Sequence, residues 1–395
     1  MTERLYYHDP YLTEFEATVR AVEEAADGRY AIRLDRTAFY PTSGGQPFDT
    51  GSLGDARVLG VEETEDGDVV HVVDRRLDEG GVISGRLDWT RRFDHMQQHT
   101  GQHILSAAFD HLLGARTESF HLGSETSTID LSRELPADEI TRAEDDANRV
   151  VWEDRAVGIQ FVDASQAASL PLRKEPAREG LLRLIDVDGY DLSACGGTHV
   201  GRTGAVGIIA IAGWERFRGG SRIEFVCGVR ALLAHRRLRD VSAAATRLLS
   251  VHTNELPAAV ERLQGEAREA RRRLKEAHAK AAVHEAAALA DAAAGGAVVA
   301  ALEGWDQNGL KLVASAVAAR PGHVAALFST PAPSAIVIAR SEESPTDCAA
   351  ALRQVIARFG GKGGGRPDLA QGGGLQGDPH EIREYLLGLL RPAAL

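Results

Sequence analysis

The sequence predicts a multidomain α+β protein with a small N-terminal β-barrel, an α/β domain, a long helical spacer and a small C-terminal α/β domain. The chain has 395 residues, which is too many for one ordinary domain. Strand-like alternation changes to helical periodicity near Arg91, and a heptad pattern begins at Leu256. We therefore divide the chain into residues 1–90, 91–229, 230–294 and 295–395.

Composition favours a globular protein and argues against membrane and secreted classes. Hydrophobic residues make up 44% of the chain and charged residues 26%, enough for packed cores. An apolar run of about 18 residues is missing, so we expect no membrane span and no membrane partner. The N-terminus lacks the features of a signal peptide. Cys195, Cys227 and Cys348 are too few for a disulfide framework, so we expect a reducing, cytoplasmic location.

Charge is distributed unevenly along the chain. The formal net charge is −12, which argues against a general nucleic-acid binder. Residues 1–227 are acidic, whereas residues 228–280 carry an excess of lysine and arginine. This pattern allows a local contact with RNA without a broad basic surface.

Short strands dominate the first ninety residues. Segments 15–24, 28–41, 58–77 and 81–89 are rich in valine, isoleucine and tyrosine and are separated by Gly/Asp turns. Such spacing predicts a small antiparallel barrel or sandwich.

The second domain is predicted to combine helices with strands. Segment 93–114, FDHMQQHTGQHILSAAFDHLLG, reads as a helix that ends at Gly114. Segment 137–154 reads as a second helix, and strands alternate with helices to about Val229.

The spacer contains a long heptad pattern. Its apolar positions follow a spacing of four and three residues: Leu256, Val260, Leu263, Ala267, Ala270, Leu274, Ala277, Ala281, His284 and Ala288. This predicts a helical rod of about 50 Å, packed either on its own chain or as a dimer zipper. The basic run 271–275 is interpreted as a solvated face, with contact to phosphates as the alternative.

The C-terminal residues predict a small α/β domain with helices around 310–319, 347–359 and 379–390. Its unusual feature is the loop 360–374, GGKGGGRPDLAQGGG. A flexible linker is one interpretation. Backbone N–H groups together with Lys362 and Arg366 could instead cradle a phosphate.

Four residues have the chemistry and spacing of a metal site. His99 and His103 stand four apart on a predicted helix, so both imidazoles project from one face. Cys195 and His199 frame CGGTH, whose glycines allow a tight turn. One thiolate and three imidazoles form a set that zinc prefers. A three-ligand site that uses His95 is the alternative.

A second candidate motif is PTSGGQP, residues 41–47. Gly44 and Gly45 permit close backbone approach to a ligand, while Thr42 and Gln46 offer hydrogen bonds. A glycine-rich turn between strands is the simpler interpretation.

These motifs resemble a known family. HMQQHTGQHILS, CGGTHV and FYPTSGGQPFDTG resemble the editing domain of alanyl-tRNA synthetases and the free-standing AlaX proteins. GGKGGGRPDLAQGGG resembles the C-terminal DHHA-type domain of the same synthetases. The resemblance covers about residues 5–391 and lacks an aminoacylation core, so the chain looks like a long-form AlaX protein.

The resemblance implies hydrolysis of serine, and secondarily glycine, from mischarged alanine tRNA, with Ala-tRNA spared. It makes His99, His103, Cys195 and His199 the ligands of Zn²⁺. The matching threonine, Thr42, would contact the serine hydroxyl, which a site built for a hydroxyl uses to reject alanine.

Roles for the remaining site residues follow from the motifs and their neighbours. Catalytic roles are assigned to Thr42, Gln46, Thr100 and Gln102, and substrate-binding roles to Gly44, Gly45, Asp94, Asp191 and Arg222. Support of the histidine rings is the simpler interpretation for the neighbours of the ligands. For Arg222 and Glu224 the simpler interpretation is an internal ion pair.

Several alternatives remain open at this point. Zinc could polarise water or the carbonyl, hold the substrate amino group, or be structural. In the family the C-terminal domain binds tRNA, which gives Lys362 and Arg366 a tRNA-binding role; a homodimer could form through the spacer or this domain. Competing functions are a non-catalytic zinc-stabilised RNA-binding or dimerisation module and a phosphodiesterase, although no D-H-H motif is found.

Overall fold

The computed structural model describes residues 1–173, 180–293 and 295–390. These residues form two compact units, Met1–Ala244 and Ala245–Leu395. In the described residues, every helix is too short or too polar to cross a bilayer. The predicted boundary at residue 294 lies outside the described residues, and the four-domain division stays a prediction.

The N-terminal strands close into a barrel, which confirms the predicted small antiparallel barrel. The strands of this region are β1 (Glu3–Arg4), β2 (Glu14–Glu24), β3 (Tyr30–Leu34), β4 (Arg36–Thr37), β5 (Gly51–Leu53), β6 (Ala56–Glu63), β7 (Val69–Val73) and β8 (Val82–Leu87). Strands β1 and β4 pair in parallel as a separate two-stranded sheet, and the other six form the barrel. The barrel order is β2-β3-β7-β6-β5-β8, and all neighbouring strands in it are antiparallel.

Alternation of side chains explains the barrel core. Val69, His71 and Val73 of β7 point inward and are buried, as are Ile32 and Leu34 of β3. Because every second side chain enters the interior, short strands suffice to fill it with apolar groups.

The first helix of the protein, α1 (Trp89–Leu113), begins directly after the barrel. The side chain of Asp88 caps it by accepting a hydrogen bond from the backbone N–H of Arg91. Gly114 ends it with φ of 61°, a left-handed conformation that glycine adopts without strain. The predicted end of the helix is therefore confirmed, and most of the helix is buried.

Two further sheets and two helices surround α1. They comprise β9 (Thr117–Leu122), β10 (Ser127–Leu131), α2 (Ala137–Trp152), β11 (Val157–Asp163), α3 (Ala164–Ala167), β12 (Leu181–Val187), β13 (Asp191–Ala194), β14 (Ile209–Phe217) and β15 (Gly220–Cys227). The sheet orders are β14-β15-β10-β9 and β11-β12-β13. All these pairs are antiparallel, so the region is α+β and not the α/β type expected; its hairpins need no parallel crossover.

Two helices follow, α4 (Gly228–Leu249) and α5 (Leu256–Asp291). The long helix predicted from Leu256 is confirmed. The predicted seam, however, is not the face that packs on its own chain: apart from half-buried Leu256, its residues are exposed. The buried stripe is instead Ala282, Ala286 and Ala290, because small side chains allow the next helix to approach closely. A zipper with a second chain stays a prediction.

The basic run on α5 behaves as a solvated helix face. Arg272 pairs with Glu269 and Glu276, and Arg273 pairs with Glu269, all within one helical turn. Such exposed pairs contribute little to stability. The interpretation as a solvated face thus agrees with the structure.

The C-terminal domain places three helices against a five-stranded sheet. Its elements are β16 (Ala297–Glu303), α6 (Gln307–Ala318), β17 (Val324–Thr330), β18 (Ser334–Arg340), α7 (Cys348–Phe359), β19 (Lys362–Gly365), β20 (Leu369–Leu375) and α8 (Pro379–Leu390). The sheet order is β16-β17-β18-β20-β19. Asp347 caps α7 by accepting from the backbone N–H of Ala350, and the buried stripe of α5 packs against α6.

The glycine-rich segment 360–374 was expected to be a loop, and this expectation is wrong. It forms the hairpin β19–β20, in which Lys362 pairs with Gly373 and Gly365 with Ala370. A Cβ at Gly363 or Gly365 would lie 2.6 Å or less from the partner strand. Glycine is therefore needed here for close strand approach, and the hairpin fixes a shape that a flexible linker lacks.

Candidate metal centre and adjoining cavity

The structure brings the four predicted metal ligands together. His99 and His103 lie one turn apart on α1, while Cys195 and His199 lie in the loop after β13. One ligand atom from each residue lies within 4.8 Å of all the others. All four are buried or half-buried. The predicted alternate ligand, His95, is not a member of the group found in the described residues.

The imidazole Nε2 atoms converge on the sulfur. His99 Nε2 lies 3.5 Å from Cys195 Sγ, and His199 Nε2 lies 3.4 Å from it. The ring centroids of His103 and His199 are 4.7 Å apart. Three imidazoles and one thiolate at this spacing fit the tetrahedral N/S coordination of zinc.

Each histidine ring is held through its other nitrogen. The Nδ1 atom of His99 lies 2.8 Å from Gln46 Oε1, that of His103 lies 3.1 Å from Asp191 Oδ2, and that of His199 lies 3.2 Å from Thr100 Oγ1. With Nδ1–H donated to these oxygens, each Nε2 keeps its lone pair for a metal. The candidate ligands are therefore oriented by Gln46, Asp191 and Thr100. For Asp191 and Thr100 this matches the simpler interpretation, support of the histidine rings.

The three supporting residues are themselves fixed. Gln46 Nε2 donates to Thr198 Oγ1 at 2.9 Å. Arg173 Nε donates to Asp191 Oδ1 at 2.6 Å. Burial alone would raise the pKa of Asp191, but its hydrogen bond with His103 and the charge of Arg173 hold that pKa below its usual range. The carboxylate therefore stays ionised and keeps accepting from His103.

The loop that carries Cys195 and His199 depends on Arg183 and Gly197. Arg183 Nη1 donates to the carbonyl oxygens of Cys195, at 2.7 Å, and Gly197, at 2.9 Å. A Cβ at Gly197 would lie 2.2 Å from Cε1 of His99. Only glycine therefore lets the loop approach the ring this closely.

The charges around Cys195 determine whether its sulfur is protonated. Burial would raise the pKa of the Cys195 thiol, but His99 and His199 beside it hold that pKa well below its usual range. Burial lowers the pKa of His199 to about 3. Burial also acts to lower the pKa of His103, yet its hydrogen bonds to Asp191 and Cys195 raise it to about 9. The sulfur is thus favoured as a thiolate, the form that binds metals.

A cavity of about 670 Å³, which we call the tyrosine cavity, adjoins the four candidate ligands at Cys195. Cys195 and Gly196 line one part of it, and Pro41, Ser43 and Gly44 line another. Its name comes from Tyr6, Tyr7 and Tyr40. Its charged lining residues are Arg4, Glu63 and Arg183, of which Arg4 and Glu63 form an ion pair at 2.8 Å. The cavity thus joins the glycine-rich motif to Cys195.

The glycine-rich motif forms a closed turn beside the cavity. Ser43 and Gln46 exchange two backbone hydrogen bonds, at 3.1 and 2.9 Å, and Gly44 and Gly45 take φ values of 55° and 83°. Thr42 is exposed, and its backbone N–H donates to the carbonyl of Val61. The segment is a glycine-rich turn, as the simpler interpretation held, while the roles of Thr42, Gly44 and Gly45 toward substrate stay predictions.

A buried ion pair ties this turn to α1. Arg92 and Asp49 are fully buried, and the guanidinium contacts both carboxylate oxygens. Asp49 also accepts from the backbone N–H of Tyr40 at 2.7 Å. The pair thereby fixes the glycine-rich motif relative to the helix that carries His99 and His103.

Other predicted site residues have partners away from the four ligands. Gln102 donates to Ser106 at 2.8 Å, and Asp94 forms an ion pair with Arg230 at 2.7 Å. Arg222 forms an ion pair too, but with Asp130, directly opposite on β10, and not with Glu224. Roles in catalysis or substrate binding for Gln102, Asp94 and Arg222 stay predictions.

The two predicted tRNA-binding residues are exposed on the C-terminal hairpin. Lys362 begins β19, and Arg366 follows its end. Arg366 Nη2 lies 3.0 Å from Asp368 Oδ2, an exposed pair that costs little to open. Both cations can therefore meet a phosphate from solvent.

Tyr6 and Arg183 are cavity residues that sequence reasoning missed. Arg183 had a detectable signal, because it interrupts the apolar run LLRLID of β12. A charged residue at such a place indicates a buried role. Tyr6 had no comparable signal in the sequence.

Two family models and full-length relatives match the chain. Residues 182–224 match the family described as the threonyl and alanyl tRNA synthetase second additional domain, and residues 294–387 match the DHHA1 domain. The alanyl-tRNA editing protein AlaX-L of Pyrococcus horikoshii is 32% identical over 99% of both chains. The alanine–tRNA ligase of Pyrococcus abyssi is 33% identical over 94% of this chain.

The ligases are longer proteins. The alignment covers 42% of the Pyrococcus abyssi ligase, so the chain spans less than half of that relative. Among solved structures, the C-Ala domain of alanyl-tRNA synthetase from Aquifex aeolicus aligns with 24% of this chain and 89% of its own length, at 28% identity and a TM-score of 0.23.

Proposed function

Because the chain belongs to the long-form AlaX family of alanyl-tRNA editing proteins, we propose that it is a zinc-dependent deacylase of mischarged alanine tRNA. The bond hydrolysed is the aminoacyl ester at the 3′-terminal ribose. Serine is the main amino acid removed, glycine is a second, and correctly charged Ala-tRNA is spared.

One observation carries this proposal. Cys195, one of the four candidate metal ligands, lines a cavity that is also lined by Pro41, Ser43 and Gly44 of the glycine-rich motif, the second region of family resemblance. A reaction centre needs both a group that stabilises developing charge and a space that positions the substrate beside it. The chain supplies both from segments that are far apart in sequence.

The chain's own residues would hold the metal and orient the ester. His99, His103, Cys195 and His199 hold a zinc ion, which when bound supplies Lewis-acid chemistry. Gln46, whose amide is anchored by Thr198, keeps His99 in place beside Cys195. Pro41, Ser43 and Gly44 limit the space for the amino acid.

Selection of serine over alanine would fall to Thr42. Its hydroxyl can pair with the serine hydroxyl, and it would be left unpaired beside the methyl group of alanine. A site that hydrogen-bonds a substrate hydroxyl strongly disfavours the analogue that lacks it. Thr42 is exposed at the turn that borders the cavity, which gives it access to a bound substrate.

Binding of the tRNA body is assigned to the C-terminal domain. The hairpin β19–β20 displays Lys362 and Arg366 on the surface. Cations at this position can neutralise phosphates and release their counterions. This contact would raise affinity without taking part in the chemical step.

Deacylation assays test the proposal. Metal-analysed protein is incubated with alanine tRNA charged with serine, glycine or alanine, and loss of the amino acid is followed at equal tRNA concentration. Rapid loss of serine with alanine retained is the expected result. A folded, zinc-loaded protein that retains tRNA but hydrolyses none of the three would overturn the enzymatic proposal in favour of an RNA-binding module.

A further inference from the structure

Two buried side-chain donors in the tyrosine cavity have no hydrogen-bond partner in the described part of the chain. They are the Oη atom of Tyr6 and the Nη2 atom of Arg183. Tyr6 is fully buried and Arg183 is 7% exposed. Both residues line the cavity. Buried donors are normally paired, so two orphan donors at one cavity indicate a ligand that carries acceptor atoms.

The remaining donors of Arg183 are already used. Its Nη1 contacts the carbonyl oxygens of Cys195 and Gly197, and its Nε donates to the carbonyl of Tyr7 at 3.0 Å. Nη2 is the one nitrogen of this guanidinium that has no hydrogen-bond partner in the described residues. The geometry of the loop therefore holds this donor in a fixed position.

The charge of Arg183 also requires an anion. The Arg183 guanidinium forms no ion pair with any of the described residues. This is unusual for a buried arginine. The sulfur of Cys195 is nearby, but as a metal ligand it is committed to the cation that it binds. A ligand anion would give Arg183 the partner that the protein does not provide.

We infer that Arg183 and Tyr6 bind a phosphate group of the substrate's terminal nucleotide. This inference rests on the proposed function: if the ester at the terminal ribose is hydrolysed at the candidate metal site, the terminal nucleotide lies in the cavity that Cys195 lines. The adjacent phosphate is the anionic group of that nucleotide, and its oxygens accept hydrogen bonds from both donors. Tyr7, Tyr40 and Phe161 also line the cavity and offer aromatic surface to the nucleoside.

Tyr6→Phe tests the inference because it removes only the orphan hydroxyl. Binding of adenosine 5′-monophosphate and of adenosine to the full-length, zinc-loaded protein is measured by calorimetry. We expect the variant to bind the monophosphate roughly tenfold more weakly and adenosine equally well, since a hydrogen bond to a charged group is lost only with the former.

Tyr190→Phe is the matched control. The hydroxyl of Tyr190 donates to Asp146 at 2.7 Å, outside the cavity. The control is expected to melt at a lower temperature but to bind the monophosphate normally. Tyr6→Phe is expected to melt at the wild-type temperature or above, because its hydroxyl has no protein partner to lose.

Three results would overturn the inference. One is equal affinity of wild type and Tyr6→Phe for the monophosphate, which would arise if the phosphate bound the metal alone. Another is destabilisation of Tyr6→Phe as large as that of the control. The third is that Tyr6→Phe binds the monophosphate as wild type does but hydrolyses charged tRNA more slowly at saturating tRNA. That result would place the Tyr6 hydroxyl at the reacting carbonyl and not at a phosphate. Wild-type protein that binds the monophosphate through Tyr6 yet hydrolyses no charged tRNA would contradict the proposed function alone.

Discussion

His103 and Asp191 lie 88 positions apart in the sequence, yet His103 Nδ1 and Asp191 Oδ2 are 3.1 Å apart in the folded chain. The contact joins α1, which carries His99 and His103, to β13, which precedes the loop with Cys195 and His199. Arg173 holds the carboxylate from its other side. The orientation of the His103 ring, a candidate metal ligand, thus depends on two charged residues outside the four-residue group.

Asp191→Asn should weaken zinc binding about 10- to 100-fold, because the amide no longer offers His103 a charged acceptor. Competition with a chromogenic chelator measures the affinity. Asp130→Asn is the matched control, since it breaks the ion pair with Arg222 on β10 and should leave zinc affinity unchanged. Equal affinity in wild type and Asp191→Asn would remove Asp191 from its supporting role.

Gly197→Ala should disrupt the metal site by steric conflict. The added Cβ would lie 2.2 Å from Cε1 and 2.4 Å from Nδ1 of His99, so the ring must move away from Gln46. We expect roughly a tenfold loss of zinc affinity.

Gly196→Ala provides the matched control for that change. The nearest atom to a Cβ there is the Tyr7 hydroxyl at 3.4 Å, an ordinary contact. Metal analysis after dialysis compares the two variants. Equal zinc contents would show that the loop can relax around the added methyl group.

His71 should make the unfolding free energy depend on pH. Burial lowers its pKa from 6.5 to about 4 inside the barrel. Between pH 4 and pH 6.5, His71 therefore binds a proton in the unfolded chain but not in the folded chain. Its contribution to the free energy of unfolding is fully present above pH 6.5 and is lost as the pH drops toward 4. The expected loss between pH 7 and 5 is about 2 kcal/mol from this residue.

Urea unfolding of wild type and His71→Asn at pH 7 and pH 5 measures this contribution. The variant is less stable at pH 7, since it loses packing and the contact with Thr37, but its stability should change less between the two pH values. Exposed His380→Gln serves as the control and should follow wild type. An unchanged pH dependence in His71→Asn would mean that His71 ionises normally in the fold.

Thr42→Val should narrow the discrimination between serine and alanine, because the shape is retained and the hydroxyl is lost. The ratio of kcat/KM for Ser-tRNA to that for Ala-tRNA is expected to fall by at least about tenfold. Thr42→Ser keeps a hydroxyl and should retain most of the ratio. If the valine variant discriminates as well as wild type, the hydroxyl contact lies elsewhere.

Replacing Lys362 and Arg366 together by alanine should make tRNA binding less salt-dependent. Two lost phosphate contacts reduce the slope of log affinity against log salt by roughly 1.5 to 2. The control exchanges two other exposed cations of the same unit, Lys311 and Arg353, for alanine. Equal slopes for the two double variants would show that net charge matters and the hairpin does not.

The sequence alone predicted the barrel, the helix α1 and the four residues that the fold brings together as a candidate metal site. It did so because these features are local: alternation defines β7, Gly114 ends α1, and the spacing His99–His103 and Cys195–His199 lies within single turns or loops. The helix α5 was equally visible, but its packing face was not. In an alanine-rich helix several faces are similar in size and hydrophobicity, so the sequence does not indicate which face is buried. In the structure, contact with α6 buries Ala282, Ala286 and Ala290.

Only the tertiary structure decided what supports the ligands and what faces the cavity. Gln46 reaches His99 across 53 positions and Thr100 reaches His199 across 99, distances at which sequence spacing carries no geometric information. The orphan donors of Tyr6 and Arg183 exist only because folding removes them from water without giving them a partner. Local spacing therefore specifies which atoms can bind a metal, whereas the packing of distant segments determines how they are held and which substrate groups they meet.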